Sequence, residues 1–334
     1  MAQAWTRRGA LGAGLGLLAA MRAEAGSALR LAGPLLLRGG EPARLRGVAM
    51  GDALLARAGR GAEDYAVLAG GWRAGLVRLS VHPFLWRERR AEAARALASE
   101  VAAARAQGLA VIVEWHAIGW PGGAFETPHD DRQLPVNAYD TDLDLARDFW
   151  ADTAGRFGDD PQVIFEIWNE PVRLEASEGA WGADWRALRP VWQDLLGVIR
   201  RRAGNLVLAT GGGWASDLTG IRDAPLEDQA VGYAWHVYPG TAGGEPERLA
   251  ERLDGLPHAH AVFVTEWGFE PAPPGHLQGT ADGFGRMLVE RFLDPYGLSW
   301  TAWCWQPDWR PPLIQPDWRS PTEAGSFVKA QLAR

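Results

Sequence analysis

Cysteine is almost absent from this chain of 334 residues, which contains Cys304 and no other. A single cysteine cannot form an intrachain disulfide or a metal site of the cysteine type. Cys304 lies in an apolar, tryptophan-rich run, where a buried and inert thiol is the usual finding, so we do not expect a catalytic thiol. Lysine is equally scarce, because Lys329 is the only one.

Basic residues are outnumbered by acidic ones, 34 against 41, which gives a formal net charge of −7. Nucleic acids and anionic membranes select for basic surfaces, so this balance argues against both as partners. It is compatible with a neutral ligand. We expect a monomer that acts without a cofactor.

Long apolar runs are also missing. A short apolar run near the N-terminus lies between the features that are typical of a targeting signal. Arg7 and Arg8 precede the apolar run Ala10 to Met21, and Ala23 to Ala25 offers a small-x-small cleavage site. The run is shorter than the roughly 20 residues that span a bilayer. We therefore expect residues 1–25 to be a signal peptide and residues 26–334 to form one mature domain.

The adjacent arginines resemble a twin-arginine signal, with an ordinary secretory signal as the alternative. Either signal predicts a periplasmic or secreted protein. No cysteine lies near the cleavage site, so we expect no lipid anchor.

Tryptophan, in contrast, is abundant, with 18 residues. Each indole offers a large flat apolar face and an N–H donor, and the apolar C–H faces of sugar rings stack on such surfaces. Core packing is the alternative for any single tryptophan, because the residue is highly buried on average.

Strand-like and helix-like segments alternate along the mature chain. The strand-like runs recur at intervals of 26 to 52 residues, against the roughly 31 residues per unit that a barrel of about 250 residues uses. This α/β pattern predicts a single (β/α)8 TIM barrel, with a short hairpin at Leu29 to Leu37 that plugs its floor. The eight runs centre near Gly47, Val77, Val111, Val163, Val207, Tyr233, Val262 and Thr301.

Two of these runs end in a glutamate beside a tryptophan. Val163 to Pro171 reads VIFEIWNEP and Ala261 to Gly268 reads AVFVTEWG. Pro171 cannot donate to a sheet ladder and ends its strand, which leaves Asn169 and Glu170 at the rim where such barrels build active sites. Glu266 takes the same place at the end of the seventh strand, so the pair predicts two-carboxylate chemistry on a sugar.

Glycoside hydrolysis needs an acid for the leaving oxygen and a second carboxylate across the anomeric carbon. Glu266 must stay ionised to attack, and Arg78 and Tyr238 are the candidates to donate to it. Glu170 must stay protonated, and the nearby charge of Glu266 would raise its pKa. Asn169 suits the sugar 2-hydroxyl.

Histidines end two further predicted strands. His116 follows the third and His236 the sixth, and each could bind a sugar hydroxyl or orient a glutamate. A lone histidine at a strand end is more often structural. The joint occurrence of these residues at five predicted strand ends strengthens the functional interpretation.

The ordered set of motifs resembles glycoside hydrolase family 5, a clan A cellulase-type family, over about Leu45 to Phe327. The resemblance implies that Glu170 is the acid/base and that Glu266 is the nucleophile. It also implies that Trp303 forms the aromatic floor of the subsite that holds the cleaved sugar, with Trp305 as the competing choice. It implies a retaining, endoglucanase-like enzyme acting on β-1,4-glucan. The motifs are VRLSV (Arg78), VIVEWH (His116), EIWNEP (Asn169, Glu170), HVY (His236, Tyr238), VTEWG (Glu266) and SWTAWCW.

One departure from the family pattern is Glu114, where many relatives carry aspartate. We expect little consequence, because this side chain precedes the strand's end. The tail Gln306 to Ser320 maps onto no known subsite.

Three alternatives stay open: a β-mannanase or other β-glycosidase of the same fold, a carbohydrate-binding barrel without catalysis, and a metal-dependent hydrolase. The cluster His129 to Asp131 matches no ligand spacing, so we expect no metal site. Gly211 to Gly213 lack the following lysine of a phosphate-binding loop. Trp120 and Trp181, on the longest predicted loops, are candidate sugar platforms.

Overall fold

A small antiparallel sheet opens the described part of the chain. The computed structural model describes residues 28–56, 60–128, 133–174, 185–271 and 275–334. The sheet contains β1 (Leu29–Ala32), β2 (Leu35–Arg38) and β3 (Glu41–Pro42). The predicted hairpin is therefore present with one additional strand. The predicted signal peptide, the His129 to Asp131 cluster and Trp181 lie outside the described residues.

Eight parallel strands follow and close into a barrel. Their order around the ring follows the chain, and each coincides with a predicted run, so the (β/α)8 prediction is confirmed. All residues of the last seven strands are buried, as expected when helices cover one face and the barrel interior the other. The strands are β4 (Arg46–Asp52), β5 (Leu76–Val81), β6 (Ala110–Trp115), β7 (Val163–Glu166), β8 (Val207–Thr210), β9 (Val231–Val237), β10 (Val262–Trp267) and β11 (Ser299–Ala302).

The helices lie between the strands. Asp142 caps the helix Leu143–Phe157 by accepting from Asp144 N and Leu145 N, and Thr322 caps the helix Glu323–Leu332 by accepting from Gly325 N. Residues 281–293 are π-helical on both sides of the short helix Arg286–Leu288. The helices are α1 (Ala62–Ala66), α2 (Pro83–Ala106), α3 (Leu143–Phe157), α4 (Trp185–Arg200), α5 (Gly212–Ala215), α6 (Pro246–Leu253), α7 (Arg286–Leu288) and α8 (Glu323–Leu332).

The barrel interior is layered, because alternate residues of each strand point inward. The lowest layer is apolar, and Leu29 and Leu36 of the N-terminal sheet pack against it from below. Its members include Leu76, Ile112, Ile164, Leu208 and Phe263. Two residues further along these strands the side chains are polar, so the chemistry is concentrated above a closed apolar floor.

Within the described ranges, no helix combines the length and apolar character needed to cross a bilayer.

Candidate active site

A cavity of about 720 Å³ opens at the carboxyl ends of the barrel strands. Its size is within the range of ligand pockets, and this face is where such barrels hold their active sites. Arg78 lies beneath its floor and is fully buried. The other seven predicted site residues all line it: His116, Asn169, Glu170, His236, Tyr238, Glu266 and Trp303.

Both carboxylate oxygens of Glu266 accept hydrogen bonds. Arg78 Nη1 donates to Oε1 at 2.7 Å, and Tyr238 Oη donates to Oε2 at 2.8 Å. These are the two partners expected from the sequence. Burial and the neighbouring charges of Glu266 and Glu170 hold the pKa of Tyr238 well above its ordinary value, so its hydroxyl stays a donor. Glu266 is thereby presented to the cleft as an oriented anion.

A change of strand register at Glu266 places it in the cleft. The pairing of β10 with β9 shifts between Val264 and Glu266. Without such a bulge, adjacent residues of a strand point to opposite faces. With it, Thr265 and Glu266 both contact interior groups.

Glu170 has the environment of an acid. Burial raises its pKa, and the charge of Glu266 adds to this effect, while His236 opposes it. Its Oε1 lies 3.0 Å from His236 Nδ1. The backbone is held by the segment after β6, because Glu170 N donates to Ala117 O and its carbonyl accepts from Gly119 N. One oxygen of Glu170 lies within 4.8 Å of one of Glu266.

Asn169 lies beside Glu170 with its amide orientation fixed. Arg78 Nη2 donates to Asn169 Oδ1 at 2.8 Å. The amide oxygen is therefore occupied, and the NH₂ group is the part of the side chain left for a sugar hydroxyl.

His116 is held by Glu114, which the sequence analysis set aside. His116 Nδ1 lies 3.1 Å from Glu114 Oε2, and the same oxygen lies 3.6 Å from Arg78 Nη2. Burial raises the pKa of Glu114 to about 8, with Glu166 adding and Arg78 opposing. Glu114 does precede the end of its strand, as expected, and its side chain forms part of the buried support of the site.

Glu166 is a second residue that sequence reasoning missed. It accepts from Arg78 at both oxygens, from Nε at 2.8 Å and from Nη2 at 2.9 Å. Burial alone would raise its pKa, but Arg78 and His236 hold it at about 2. The available signal was a glutamate inside an otherwise apolar strand, because a buried charge requires a partner.

Trp303 is the predicted aromatic floor that reaches the cavity. Its ring is parallel to that of His116, with centroids 5.7 Å apart, and it lies 5.5 Å from Trp309. Trp305, the competing choice, is buried in the wall and donates to Asp64 Oδ1 at 2.9 Å. Trp309 comes from the tail that mapped onto no subsite, and it also lines the cavity.

Two other tryptophans differ in their access to the cleft. Trp120, a candidate platform, is covered by the guanidinium of Arg173, 3.6 Å above its ring, and is not among the lining residues. Trp214 does line the cavity, and its backbone N–H donates to Pro171 O, next to the acid. It has a left-handed φ of 61°, a conformation that is uncommon outside glycine.

Glu170, His236 and Glu266 also form the one group of three potential metal ligands found among the described residues. The Arg78 guanidinium lies against Glu266, and nearby carboxylates raise the pKa of His236 to about 10 against the effect of burial. A metal would have to displace a proton from His236 and approach the Arg78 cation. The arrangement therefore suits acid–base chemistry better than metal binding.

Curated relatives of this chain are endoglucanases. Endoglucanase 5 of Pectobacterium carotovorum subsp. carotovorum is 31% identical over 211 residues, which cover 61% of this chain and 35% of the relative. Endoglucanase N of Pectobacterium atrosepticum is also 31% identical over 211 residues, covering 61% and 40%. The chain thus spans less than half the length of these relatives.

Solved structures share the fold over nearly the whole chain. The β-glucanase SdGluc5_26A of Saccharophagus degradans, in complex with cellotetraose, has a TM-score of 0.80 at 27% identity and covers 92% of this chain and 93% of its own. The catalytic domain of Thermobifida fusca endoglucanase Cel5A has a TM-score of 0.72 at 24% identity, covering 93% and 99%. The family model described as Cellulase (glycosyl hydrolase family 5) matches residues 39–308, most of the chain, which therefore belongs to glycosyl hydrolase family 5.

Proposed function

We propose that this chain is a retaining, endoglucanase-like enzyme that hydrolyses β-1,4-linked glucan. Glu170 acts as the acid/base and Glu266 as the nucleophile. The observation that carries the proposal is the contrast between two carboxylates within 4.8 Å of each other. Glu266 is held by Arg78 and Tyr238 as an anion, whereas burial raises the pKa of Glu170 and favours its acid form.

In the first step Glu266 attacks the anomeric carbon and the glycosidic C–O bond breaks. Glu170 transfers its proton to the leaving oxygen, and a glycosyl ester of Glu266 forms. A close pair suits this double displacement, because the carboxyl groups of retaining enzymes lie about 5–5.5 Å apart and those of inverting enzymes about 6.5–9.5 Å.

In the second step water cleaves the ester. The charge of Glu266 has been consumed, so one of the groups that raised the pKa of Glu170 is gone. His236 Nδ1 lies 3.0 Å from Glu170 and favours its carboxylate form. Glu170 can therefore accept the proton of the attacking water, and the product keeps the configuration of the substrate.

The substrate assignment is supported by aromatic surfaces and by a structural relative. Trp303 and Trp309 give the cavity flat apolar faces that suit the C–H face of glucose. The relative from Saccharophagus degradans, a β-glucanase, holds cellotetraose. Trp214, next to the acid, is placed to contact the sugar on the leaving-group side.

The test is an assay for new reducing ends on carboxymethyl-cellulose, lichenan, xyloglucan, mannan and xylan. We expect the glucans to be cleaved, with the β-anomer appearing first by proton NMR. Glu266→Ala should abolish turnover and keep the wild-type circular dichroism spectrum. Preferential cleavage of mannan would overturn the substrate assignment, and an initial α-anomer would overturn the retaining mechanism.

We further propose that the protein is a monomer exported through its N-terminal segment. Expression with and without residues 1–25, followed by cell fractionation and light scattering, tests both statements. Cytoplasmic retention of the full chain would refute export.

A further inference from the structure

Four side chains, three of them buried, form a hydrogen-bonded series that runs from the acid into the barrel interior. Glu170 Oε1 lies 3.0 Å from His236 Nδ1, and His236 Nε2 lies 3.1 Å from Thr265 Oγ1. Thr265 Oγ1 in turn lies 3.0 Å from Glu166 Oε1, and this oxygen is also 3.5 Å from His236 Nε2 itself. His236, Thr265 and Glu166 are each at most 1% exposed, and of the four only Glu170 and His236 line the cleft.

The ionised carboxylate of Glu166, at the inner end of this series of side chains, sets the direction of each hydrogen bond in it. Glu166, with its pKa at about 2, is an acceptor only, so the hydroxyl of Thr265 must donate to it. The oxygen of Thr265 then accepts from His236 Nε2–H. Carboxylates around His236 raise its pKa to about 10 despite burial, so Nδ1 also carries a proton and donates to Glu170.

A donor fixed at one oxygen of Glu170 decides where the acid proton resides. The hydroxyl oxygen of a protonated carboxyl is a poorer acceptor than its carbonyl oxygen. With His236 donating to Oε1, the proton therefore belongs on Oε2. We propose that Glu166 is a positioning residue for the hydrolysis proposed above: through Thr265 and His236 it directs an N–H at Oε1 of Glu170, so that Oε2 carries the acid proton.

The same carboxylate also orients the nucleophile. Glu166 holds Arg78 at Nε and Nη2, and this leaves Nη1 directed at Glu266 Oε1, 2.7 Å away. Glu166 is thus connected to Glu170 by one arm and to Glu266 by another, without touching the cleft. The titratable groups around His236 and Glu166 are Arg78, Glu114, Glu170, Tyr238 and Glu266.

Two variants separate the arms. Thr265→Val removes the bridging hydroxyl and so weakens only the arm to the acid, leaving His236 Nε2 with Glu166 Oε1 at 3.5 Å, whereas Thr265→Ser keeps the hydroxyl and should restore the arm. Glu166→Gln removes the charge that serves both arms. Thr153→Val is the matched control, because Thr153 is equally buried in α3 and its hydroxyl has no hydrogen-bond partner among the described residues.

The first readout is ¹⁵N NMR of histidine-labelled protein, with the His236 signal assigned by His236→Gln. We expect the wild type, Thr265→Ser and Thr153→Val to keep both His236 nitrogens protonated from about pH 5 to 9. Thr265→Val and Glu166→Gln should lose the proton at lower pH. Unchanged His236 titration in both variants would overturn the proposal.

The second readout is a comparison of leaving groups. Thr265→Val should lower kcat/KM about tenfold on soluble β-glucan, the effect of one hydrogen bond, and less on an aryl cellobioside that needs little protonation. Glu166→Gln should lower kcat/KM by about 10- to 100-fold on both substrates, because it also misplaces the nucleophile. Equal losses on both substrates in Thr265→Val would contradict an acid-specific arm.

The inference rests on the proposed function, but the two can fail separately. A wild-type protein that cleaves no glycoside refutes the function, and the NMR titrations still decide whether Glu166 and Thr265 control the protonation of His236.

Discussion

Replacing the acid gives the sharpest test of the site. Glu170→Ala removes the raised-pKa carboxyl and leaves Glu266 with its donors Arg78 and Tyr238 in place. Nucleophilic attack remains available, whereas protonation of the leaving oxygen does not. The damage should therefore depend on how much protonation the leaving group needs.

The expected magnitude follows from the role of a positioned acid, which contributes about 10²- to 10⁴-fold. We expect kcat/KM on cellotetraose to fall by that factor, which corresponds to roughly 2.7–5.4 kcal/mol of transition-state stabilisation. On 2,4-dinitrophenyl cellobioside, the same step should lose less than about tenfold, because dinitrophenolate leaves unprotonated.

The pH dependence of activity gives an independent test of the role of Glu170. Glu170 acts in its acid form, which is present below its folded-state pKa and lost as pH rises through that value. Burial and the charge of Glu266 raise this pKa, so the wild type should stay active well above the ordinary pKa of glutamate. In Glu170→Ala, the fall in activity at high pH that follows the deprotonation of Glu170 should be absent on the aryl substrate.

Glu126→Ala is the control, since Glu126 is another carboxylate of the cavity wall. It should affect both substrates in the same proportion. Azide should accelerate the aryl reaction of Glu170→Ala by attacking the glycosyl ester from the vacated space. If cellotetraose and the aryl glycoside lose activity equally, and azide has no effect, Glu170 is not the acid.

Four further predictions concern the buried cation, its partner Glu166, the tryptophans and metals. Arg78→Met should cost about 3–5 kcal/mol in urea unfolding, because it strands buried carboxylates, whereas exposed Arg286→Met should stay within about 1 kcal/mol. The stabilisation from Glu166 should be complete above about pH 4.3 and vanish as pH falls towards about 2, measured by acid unfolding. Trp303→Ala should lower kcat/KM on cellotetraose, whereas Trp305→Ala should chiefly lower stability, by about 3–5 kcal/mol. EDTA should leave the rate on β-glucan unchanged, and a loss that Zn²⁺ restores would point to a metal at Glu170, His236 and Glu266.

Local pattern was sufficient to predict the barrel and the residues around its rim. Apolar, β-branched runs at a regular pitch mark parallel strands, and all eight were located within their observed bounds. Residues at the carboxyl ends of such strands must share one face. His116, Asn169, Glu170, His236 and Glu266 could therefore be grouped before any contact was known, whereas Arg78 lies in the middle of β5, beneath the rim.

The same reasoning applies to the layer of residues beneath the rim, although Glu114 and Glu166 in that layer were not predicted to support the site. Ile164 and Glu166 are two residues apart and point to the same interior, as do Ile112 and Glu114. A charged residue at an inward position predicts a buried partner. Which cation serves it depends on neighbouring strands, and here it is Arg78.

Other features depend on the folded chain alone. The register shift in β10 turns Thr265 and Glu266 to the same interior, against the alternation that a regular strand imposes. Trp309 reaches the cavity only because the tail after β11 folds back over the rim. Sequence periodicity determines which residues face inward and at which end of the barrel, since it follows from local backbone geometry. The tertiary structure decides which inward groups meet, and hence which carboxyl holds a proton, because proton affinity is set by burial and by charges on distant parts of the chain.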